Sequence, residues 1–226
     1  MLTHFAKERV RPRGAAPPAS DPVYLRVTGF SLLELLIVLS IAFIAATIAT
    51  LSVQNAARSV RLFEAGTDYA NLLQNARVRA VKDDRYYTVR TTISSTAPPE
   101  AYVDLAGTGV YAAGDPLMVF PQGVTPMSFS SGPSLANLES LFLPSGANAL
   151  ATIDSTSPGP TFSSRGLPCT PSPGVGGTTC SSMTPTSFIV FLQNQENSQW
   201  MAITVTPAGR IRQWQYDNSG SWSPRN

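Results

Sequence analysis

The chain has 226 residues, of which 16 are Lys or Arg, 14 are Asp or Glu, one is His and two are Cys. That length is sufficient for a buried core, and a charged fraction of 13% is too low for a charge-rich disordered chain. The net charge of +2 gives no general signature of nucleic-acid binding. A single histidine, His4, and two cysteines argue against His-dependent catalysis, Cys₄ zinc sites and iron–sulfur clusters. The composition predicts a protein that is not an enzyme and has no metal or cofactor.

Proline is unevenly distributed, because all 19 prolines lie before residue 23 or from Pro98 onward. Since proline breaks helices, the interval between these groups can form one continuous helix and its flanks cannot. Residues 1–29 are polar and basic, with five Lys or Arg against two acidic residues. We expect them to form a disordered leader. Without them the chain has 11 Lys+Arg and 12 Asp+Glu, a net charge of −1.

Residues 30–53, FSLLELLIVLSIAFIAATIATLSV, are predicted to cross a membrane as a helix. Eighteen of these 24 residues are apolar, and the only charge is Glu34. A span needs about 20 apolar residues. A buried core helix and a secretory signal peptide are the alternatives, but the first is rarely apolar on every side and the second has a shorter apolar run. Basic residues before the span place the N-terminus in the cytoplasm.

Residues 54–85 are predicted to continue as an amphipathic helix. Apolar side chains recur at steps of three and four, with charged residues between them. The apolar stripe contains Leu62, Ala65, Tyr69, Leu72, Ala76 and Ala80, widened by Phe63, Ala70 and Leu73. The pattern predicts one unbroken helix from Phe30 to about Val81, ended by Lys82–Arg85. Gly66 within it indicates a bend or a close contact.

Residues 86–226 are predicted to form a β-rich head. Strands are expected at Tyr86–Thr92, Ala101–Leu105, Pro126–Ser130, Ala149–Ile153, Phe188–Asn194, Trp200–Thr206 and Arg210–Tyr216. The last three should form an antiparallel meander, with a hairpin loop at Pro207–Gly209 and a positive φ at Gly209. The amphipathic helix can cover its apolar face. The predicted fold class is therefore α+β, with a long N-terminal helix packed on a C-terminal antiparallel β-sheet.

The junction TGFSLLELLIVLS combines Gly29, Phe30 and Glu34 at the start of the apolar run. It resembles the class III signal of type IV pilins and of type II secretion pseudopilins. The resemblance implies that a prepilin peptidase cleaves after Gly29 and methylates the new N-terminal Phe30. It also implies a single-pass protein of the bacterial inner membrane, with a periplasmic or extracellular head, that joins other pilin or pseudopilin subunits.

The carboxylate of Glu34 needs a partner, because an unpaired charge within a membrane helix costs roughly 3 kcal/mol. The resemblance makes Glu34 the fifth residue after cleavage, where these families carry an acidic residue. We expect it to pair with the Phe30 amine of a neighbouring subunit and so to fix the axial register of assembly. The alternative is that Glu34 only reaches the membrane interface from its helix end.

Two further stretches resemble GspH/FimT-type minor pilins. The first is the helix sequence with Leu72, Leu73, Ala76, Arg77 and Ala80, followed by a strand at 86–90. The second is TVTPAGRIRQW, which resembles the closing hairpin with its G-R-x-R element at Gly209–Arg212. Residues 93–186 match no motif of this family and contain Ser-, Thr-, Gly- and Pro-rich loops.

The G-R-x-R element is linked to DNA binding in some FimT-like proteins of competent bacteria, so the resemblance makes Arg210 and Arg212 candidate DNA-binding residues. Strand alternation places them on one face with Trp214 and Tyr216, where cations could contact phosphates and aromatics could stack on bases. The alternatives are a solvated edge strand protected by its charge, or Arg stacked on Trp214 for stability.

Cys169 and Cys180 enclose the loop CTPSPGVGGTTC. A head outside the cytoplasm would allow a disulfide between them, whereas no CxxC motif or adjacent basic group favours a redox-active pair. The sequence thus predicts a minor pilin or pseudopilin for the assembly or tip of a type II secretion pseudopilus or type IV pilus. The alternative is a DNA-binding minor pilin for natural transformation. A membrane-tethered enzyme is the weakest hypothesis.

Overall fold

The computed structural model describes nine stretches of the chain: residues 31–93, 97–127, 132–135, 138, 150–152, 159–171, 179–182, 186–217 and 219–225. The predicted leader, including Gly29, lies outside these residues, as does Phe30. Along the chain, the boundary between two compact units falls between Ala46 and Thr47.

Helix α1 extends from Leu32 to Asp83, which confirms the predicted continuous helix with each end shifted by two residues. At its start, the backbone N of Glu34 donates to Oγ of Ser31 at 3.1 Å, the N-cap arrangement of an S-x-x-E sequence. At its end, Asp84 has a φ of 50°. The N–H of Arg85 then reaches back to the carbonyl of Ala80 at 3.1 Å, as in a Schellman C-cap.

The first part of α1 is apolar on every side. Its large apolar side chains from Leu32 to Ile48 are between 49% and 82% exposed. Among the described residues, α1 is the one helix long and apolar enough to cross a membrane. Such exposure is costly in water and favourable in lipid or against other apolar helices.

The described residues after α1 contain twelve strands. They are β1 (Tyr87–Thr92), β2 (Glu100–Asp104), β3 (Leu117–Val119), β4 (Val124–Met127), β5 (Leu150–Thr152), β6 (Thr161–Phe162), β7 (Pro168–Pro171), β8 (Cys180–Ser182), β9 (Ser187–Asn194), β10 (Gln199–Val205), β11 (Ile211–Tyr216) and β12 (Trp222–Arg225). The α+β class predicted from the sequence is confirmed.

The strands form two sheets. The first has the order β3-β2-β1-β6-β7-β8. The second has the order β12-β11-β10-β9-β4, and β5 also pairs with β9. The pairing of β5 with β9 is parallel, whereas the others are antiparallel. The predicted β9–β10–β11 meander is confirmed and is extended by β12.

One hydrophobic cluster contains residues of α1 and of both sheets. From α1 it takes Leu62, Ala65, Tyr69, Leu72, Leu73, Ala76 and Ala80, which are the predicted apolar stripe. From the sheets it includes Val89, Val103, Val190 and Ile203. A Cβ at Gly66 would overlap the side chain of Met201, so this glycine marks a close contact between α1 and β10.

A second cluster lies on the other face of the second sheet. Ile189, Phe191, Ala202 and Trp214 belong to it, whereas the alternate residues of β9 and β10 belong to the first cluster. Period-two alternation therefore leaves the central strands apolar on both faces. Trp222 also belongs to the second cluster, and its indole Nε1 donates to the carbonyl of Ser134 at 3.0 Å.

Candidate functional site

The hairpin between β10 and β11 positions the predicted G-R-x-R element. The N–H of Thr206 donates to the carbonyl of Arg210 at 2.9 Å, and the N–H of Gly209 donates to the carbonyl of Thr206 at 2.8 Å. Gly209 has a φ of 76°, which L side chains rarely adopt. The predicted three-residue loop and its positive φ are confirmed.

Arg77 of α1 joins the turns of the two sheets. Its Nε donates to the carbonyl of Gly166 at 3.0 Å, in the turn between β6 and β7. A Cβ at Gly209 would lie 2.7 Å from that same carbonyl oxygen and 3.1 Å from the Arg77 guanidinium carbon. Glycine is therefore required at position 209 for packing as well as for its φ. The contact links the two stretches of sequence that resemble GspH/FimT-type minor pilins. One lies on α1 and the other on the closing hairpin.

A groove of about 560 Å³ lies between α1 and the edge of the second sheet. We call it the arginine groove; its lining includes Thr67, Ala70, Arg210, Ile211, Arg212 and Arg225. Three arginines therefore contribute to the lining, and the strand register places the side chains of Arg212 and Arg225 on opposite faces of the sheet. Arg210 and Arg212 were predicted to act together, and the structure places both on this groove.

Arg225 was not among the predicted site residues. Its guanidinium carbon lies 3.3 Å from the centroid of the Phe63 ring, a cation–π geometry. This contact connects β12 to α1. The sequence offered no signal beyond a basic residue near the end of the chain, because only the pairing of β12 with β11 brings Arg225 beside α1.

The predicted stacking role of Trp214 is wrong. Its side chain is 1% exposed, and its Nε1 donates to Oγ1 of Thr204 at 2.8 Å. The predicted alternation of side chains between the two faces of β11 is confirmed, because Ile211 packs on the first cluster and Trp214 lies in the second. The second cluster covers the indole, so a nucleic-acid base cannot stack on it. Tyr216 is half-buried and packs on Trp222, with ring centroids 5.0 Å apart.

Polar contacts that no sequence pattern indicated link α1 to the hairpin of β9 and β10. The guanidinium of Arg58 pairs with the carboxylate of Glu196 at 2.6 Å. Oγ of Ser59 donates to Oε1 of Gln199 at 2.8 Å, and the side-chain amide of Asn194 donates to the carbonyl of Arg58 at 3.0 Å. These contacts involve Arg58 and Ser59 of α1, just beyond the apolar segment.

Cys169 and Cys180 form a disulfide, as predicted. Cys169 lies in β7 and is buried, and Cys180 begins β8. The two strands are paired, with Pro171 opposite Cys180. The bond thus closes the loop between neighbouring strands at the end of the first sheet.

Glu34 lies in the first turn of α1, where a carboxylate also interacts favourably with the helix dipole. Its side chain is exposed. The processing residues Gly29 and Phe30 lie outside the described residues, so the structure does not bring Glu34 together with either of them.

The loop between β11 and β12 is organised by Asp217. Its carboxylate accepts hydrogen bonds from the backbone and hydroxyl groups of Ser221 and Ser219. These bonds lower the pKa of the half-buried Asp217 carboxyl to about 2, and the backbone bond from Ser221 has the largest effect. These hydrogen bonds hold the residues that precede β12, the strand that contains Arg225.

In the part of the chain that the structure describes, no group of three or more His, Cys, Asp or Glu side chains could hold a metal ion. The comparisons with known proteins return nothing: no protein-family model, no curated protein and no solved structure matches this chain.

Proposed function

We propose that the protein is a minor pilin or pseudopilin of the GspH/FimT type, a membrane-anchored structural subunit of a type IV pilus or a type II secretion pseudopilus. The observation that carries the proposal is the sequence Gly29-Phe30 with Glu34, placed where a membrane-length helix begins. The same helix continues into the hydrophobic cluster of an α+β head. A helix of this kind serves two purposes. Its apolar part can bundle with the same part of other subunits, while the rest of the helix holds the head.

In the proposed topology the N-terminus is cytoplasmic and the head lies in the periplasm or outside the cell. The five basic residues before the span favour this orientation. The disulfide supports it, because such bonds persist in oxidising compartments. The burial of the Leu62–Ala80 stripe together with residues of both sheets supports the proposed packing of the helix on the head.

Cleavage after Gly29 by a prepilin peptidase tests this function. The full chain would be expressed with the peptidase, and the N-terminus of the product would be determined by intact-mass and fragment-mass spectrometry. We expect a chain that begins with a methylated Phe30. A large side chain at the cleavage site, as in Gly29→Leu, should leave the chain uncleaved, whereas Gly14→Leu within the leader should not. A wild-type chain that stays intact, or that is cut elsewhere, would contradict the proposal.

A DNA-binding minor pilin for natural transformation is the second candidate. It is favoured by the position of Arg210 and Arg212 on one groove with Arg225, since arginines contact phosphates without regard to sequence. The burial of Trp214 removes the base-stacking surface that this function was expected to use.

The DNA-binding candidate is tested on the processed full-length chain in detergent, by the fluorescence anisotropy of a labelled DNA duplex at two salt concentrations. Binding that weakens with salt and is lost in Arg210→Ala/Arg212→Ala would support it. Arg165→Ala, which removes an exposed charge from the β6–β7 turn, should leave such binding unchanged. No binding of the wild-type chain at low salt would exclude this candidate for the isolated protein.

A further inference from the structure

We propose that strand β3 binds an extended segment of another protein by antiparallel strand addition. The segment would place apolar side chains beside Leu117 and Val119, and between them a basic side chain directed toward α1. This inference goes beyond the proposed function, because subunits that bundle through their apolar helices do not require an added strand.

Strand β3 forms one edge of the first sheet, where it pairs with β2. At one end of this pair, the N–H of Val103 donates to the carbonyl of Pro116 at 2.9 Å. At the other end, the N–H of Phe120 donates to the carbonyl of Pro99 at 2.9 Å. Hydrogen-bonded positions alternate along an antiparallel pair. The even-numbered residues of β3 therefore direct their backbone groups toward β2.

The odd-numbered residues of β3, Leu117 and Val119, direct their backbone groups away from the sheet for the same reason. In the part of the chain that the structure describes, β2 is the one strand that pairs with β3. The outward positions thus present two N–H donors and two carbonyl acceptors. Their alternation is the one that an antiparallel strand requires.

The other sheet edges are protected against strand addition, whereas β3 is not. The hydrogen bonds that flank β12 and β4 place Pro224 and Pro126 at outward positions, where a proline offers no N–H. At the far edge of the first sheet, a register shift interrupts the pairing of β8 with β7, and such irregularity also hinders addition. Strand β3 has a leucine and a valine at its outward positions.

A groove of about 410 Å³ between β3 and α1 would receive one face of the added strand. From α1 its lining includes three exposed polar residues, Asp68, Asn71 and Asn75. Met118 packs on the first cluster and so faces α1. Leu117 and Val119 lie on the other face of the sheet, with exposed fractions of 41% and 55%.

This arrangement determines the side chains of the partner, because residues directly opposite each other share a face of the sheet. Residues opposite Leu117 and Val119 would extend an exposed apolar row, which favours β-branched side chains. The residue opposite Met118 would face Asp68, the charged residue of the groove lining, which takes part in none of the ion pairs of the described residues. A lysine or arginine there would pair with this carboxylate. A second copy of β3 would present a methionine instead and leave Asp68 unpaired.

Hydrogen–deuterium exchange of the full-length chain in detergent, followed by mass spectrometry, tests the proposal. The probe is the synthetic peptide acetyl-Thr-Val-Lys-Val-Thr-amide, whose lysine can lie opposite Met118 and its valines opposite Leu117 and Val119. At about ten times its Kd, the peptide should slow exchange of the Leu117 and Val119 amides by about tenfold. Fragments of the second sheet should exchange as they do without peptide.

N-methylated peptides distinguish strand addition from other modes of binding. Methylation of both valine nitrogens removes the N–H groups that would donate to β3, and it should abolish the slowing of exchange. Methylation of the lysine nitrogen removes an N–H that points away from β3, and it should leave the slowing unchanged.

Variants of the chain test the two parts of the site separately. Asp68→Asn should weaken binding of the lysine peptide by about two- to fivefold and leave unchanged a peptide with glutamine in place of lysine. Asp84→Asn is the matched control, because it removes an exposed carboxylate at the end of α1 and asparagine tolerates the φ of 50° there.

On the strand itself, Val119→Pro removes one outward N–H and leaves the hydrogen bonds to β2 in place. It should abolish the slowing of exchange at Leu117, whereas Val119→Thr, which keeps the N–H, should retain it. Circular dichroism would establish that both variants are folded.

The proposal is overturned if the peptide leaves exchange at Leu117 and Val119 unchanged, or if the two N-methylated peptides act alike. It is also overturned if these amides become protected as the protein concentration rises without peptide, since a second copy would then occupy the edge. Cleavage after Gly29 does not involve β3. Normal processing without peptide binding would remove this binding edge only, whereas failed processing would remove the proposed function only.

Discussion

Glycine at position 209 illustrates how one residue can be required for two independent reasons. Its φ of 76° disfavours any side chain, and its α-carbon faces the carbonyl of Gly166 and the guanidinium of Arg77. The sequence predicted the first reason from the hairpin loop. The second depends on a turn of the other sheet, about forty residues earlier in the chain, and no local pattern indicates it.

Gly209→Ala is expected to lower the free energy of unfolding by about 2 kcal/mol or more, from backbone strain and from overlap with Gly166. Gly114→Ala is the matched control, because Gly114 has a φ of 105° but nothing within 4 Å of an added Cβ. Gly114→Ala should lower the free energy of unfolding only by the backbone strain of its positive φ. Chemical denaturation measures the free energy of unfolding of each variant. An equal loss of stability in the two variants would show that the contact with Gly166 and Arg77 is unimportant.

Glu34 lies in the first turn of α1, and the role in assembly proposed for its carboxylate can be tested by a single substitution. Glu34→Gln preserves the S-x-x-E/Q pattern that begins α1 but removes the negative charge. We expect normal cleavage after Gly29, normal helix content and a strong loss of the protein from the sheared pilus or pseudopilus fraction. Incorporation at the wild-type level would contradict the proposed role of the carboxylate in assembly.

Tyr69 makes stability sensitive to alkaline pH. Burial raises the pKa of its phenol well above the usual value, and the hydrogen bond with Thr91 opposes this only partly. The unfolded state ionises near pH 10, whereas the folded state stays neutral there. Stability from this group is therefore complete below about pH 10 and is lost as the pH rises further. The melting temperature of the wild type should fall more steeply above pH 10 than that of Tyr69→Phe; parallel curves would contradict this.

At the scale of elements, long patterns were predictable and most short strands were not. The short strands β4 and β5 are exceptions, because they overlap the predicted strands at Pro126–Ser130 and Ala149–Ile153. Helix α1 and strands β1, β2, β9, β10 and β11 lie where hydrophobic periodicity or β-branched residues indicate them. Strands β3, β6, β7, β8 and β12 have two to four residues each. Such short segments are too short for a periodic signal and become strands only because a longer neighbour provides hydrogen-bond partners.

The disulfide stabilises the β7–β8 pair by restricting the unfolded chain. Its cysteines are 11 residues apart, and closing such a loop contributes about 3 kcal/mol in the chain-entropy model. Cys169→Ser/Cys180→Ser is expected to lower the free energy of unfolding by roughly this amount. The reduced wild type should behave similarly, apart from the cost of placing a polar Ser at the buried position 169. If neither reduction nor substitution changes the midpoint of unfolding, the bond is not stabilising.

The whole molecule divides between an apolar N-terminal segment and a packed remainder that begins at Thr47. The residues of the first hydrophobic cluster start at Leu62 and extend to Val205. All of them lie within the second unit, so that unit contains its own core.

A fragment of residues 56–226 should therefore be soluble, monomeric and cooperatively folded without detergent. Size-exclusion chromatography and thermal unfolding test this, with the full chain in detergent as the reference. Aggregation of the fragment, or a transition without cooperativity, would show that the apolar segment is needed for folding of the head.

The sequence by itself determined the α+β class, the membrane-length segment, the amphipathic stripe of α1, the closing hairpin and the disulfide. The first four are local or depend on composition, so periodicity and turn residues are sufficient to indicate them. The disulfide was expected from the compartment that the resemblance implies for the head. Only the tertiary structure decided that Trp214 is buried, that Arg77 joins two turns, and that Arg225 lies on Phe63. Each of these contacts depends on which strands become neighbours. The pairing of strands is determined by the burial of both faces of the sheet, which no short segment of the sequence encodes.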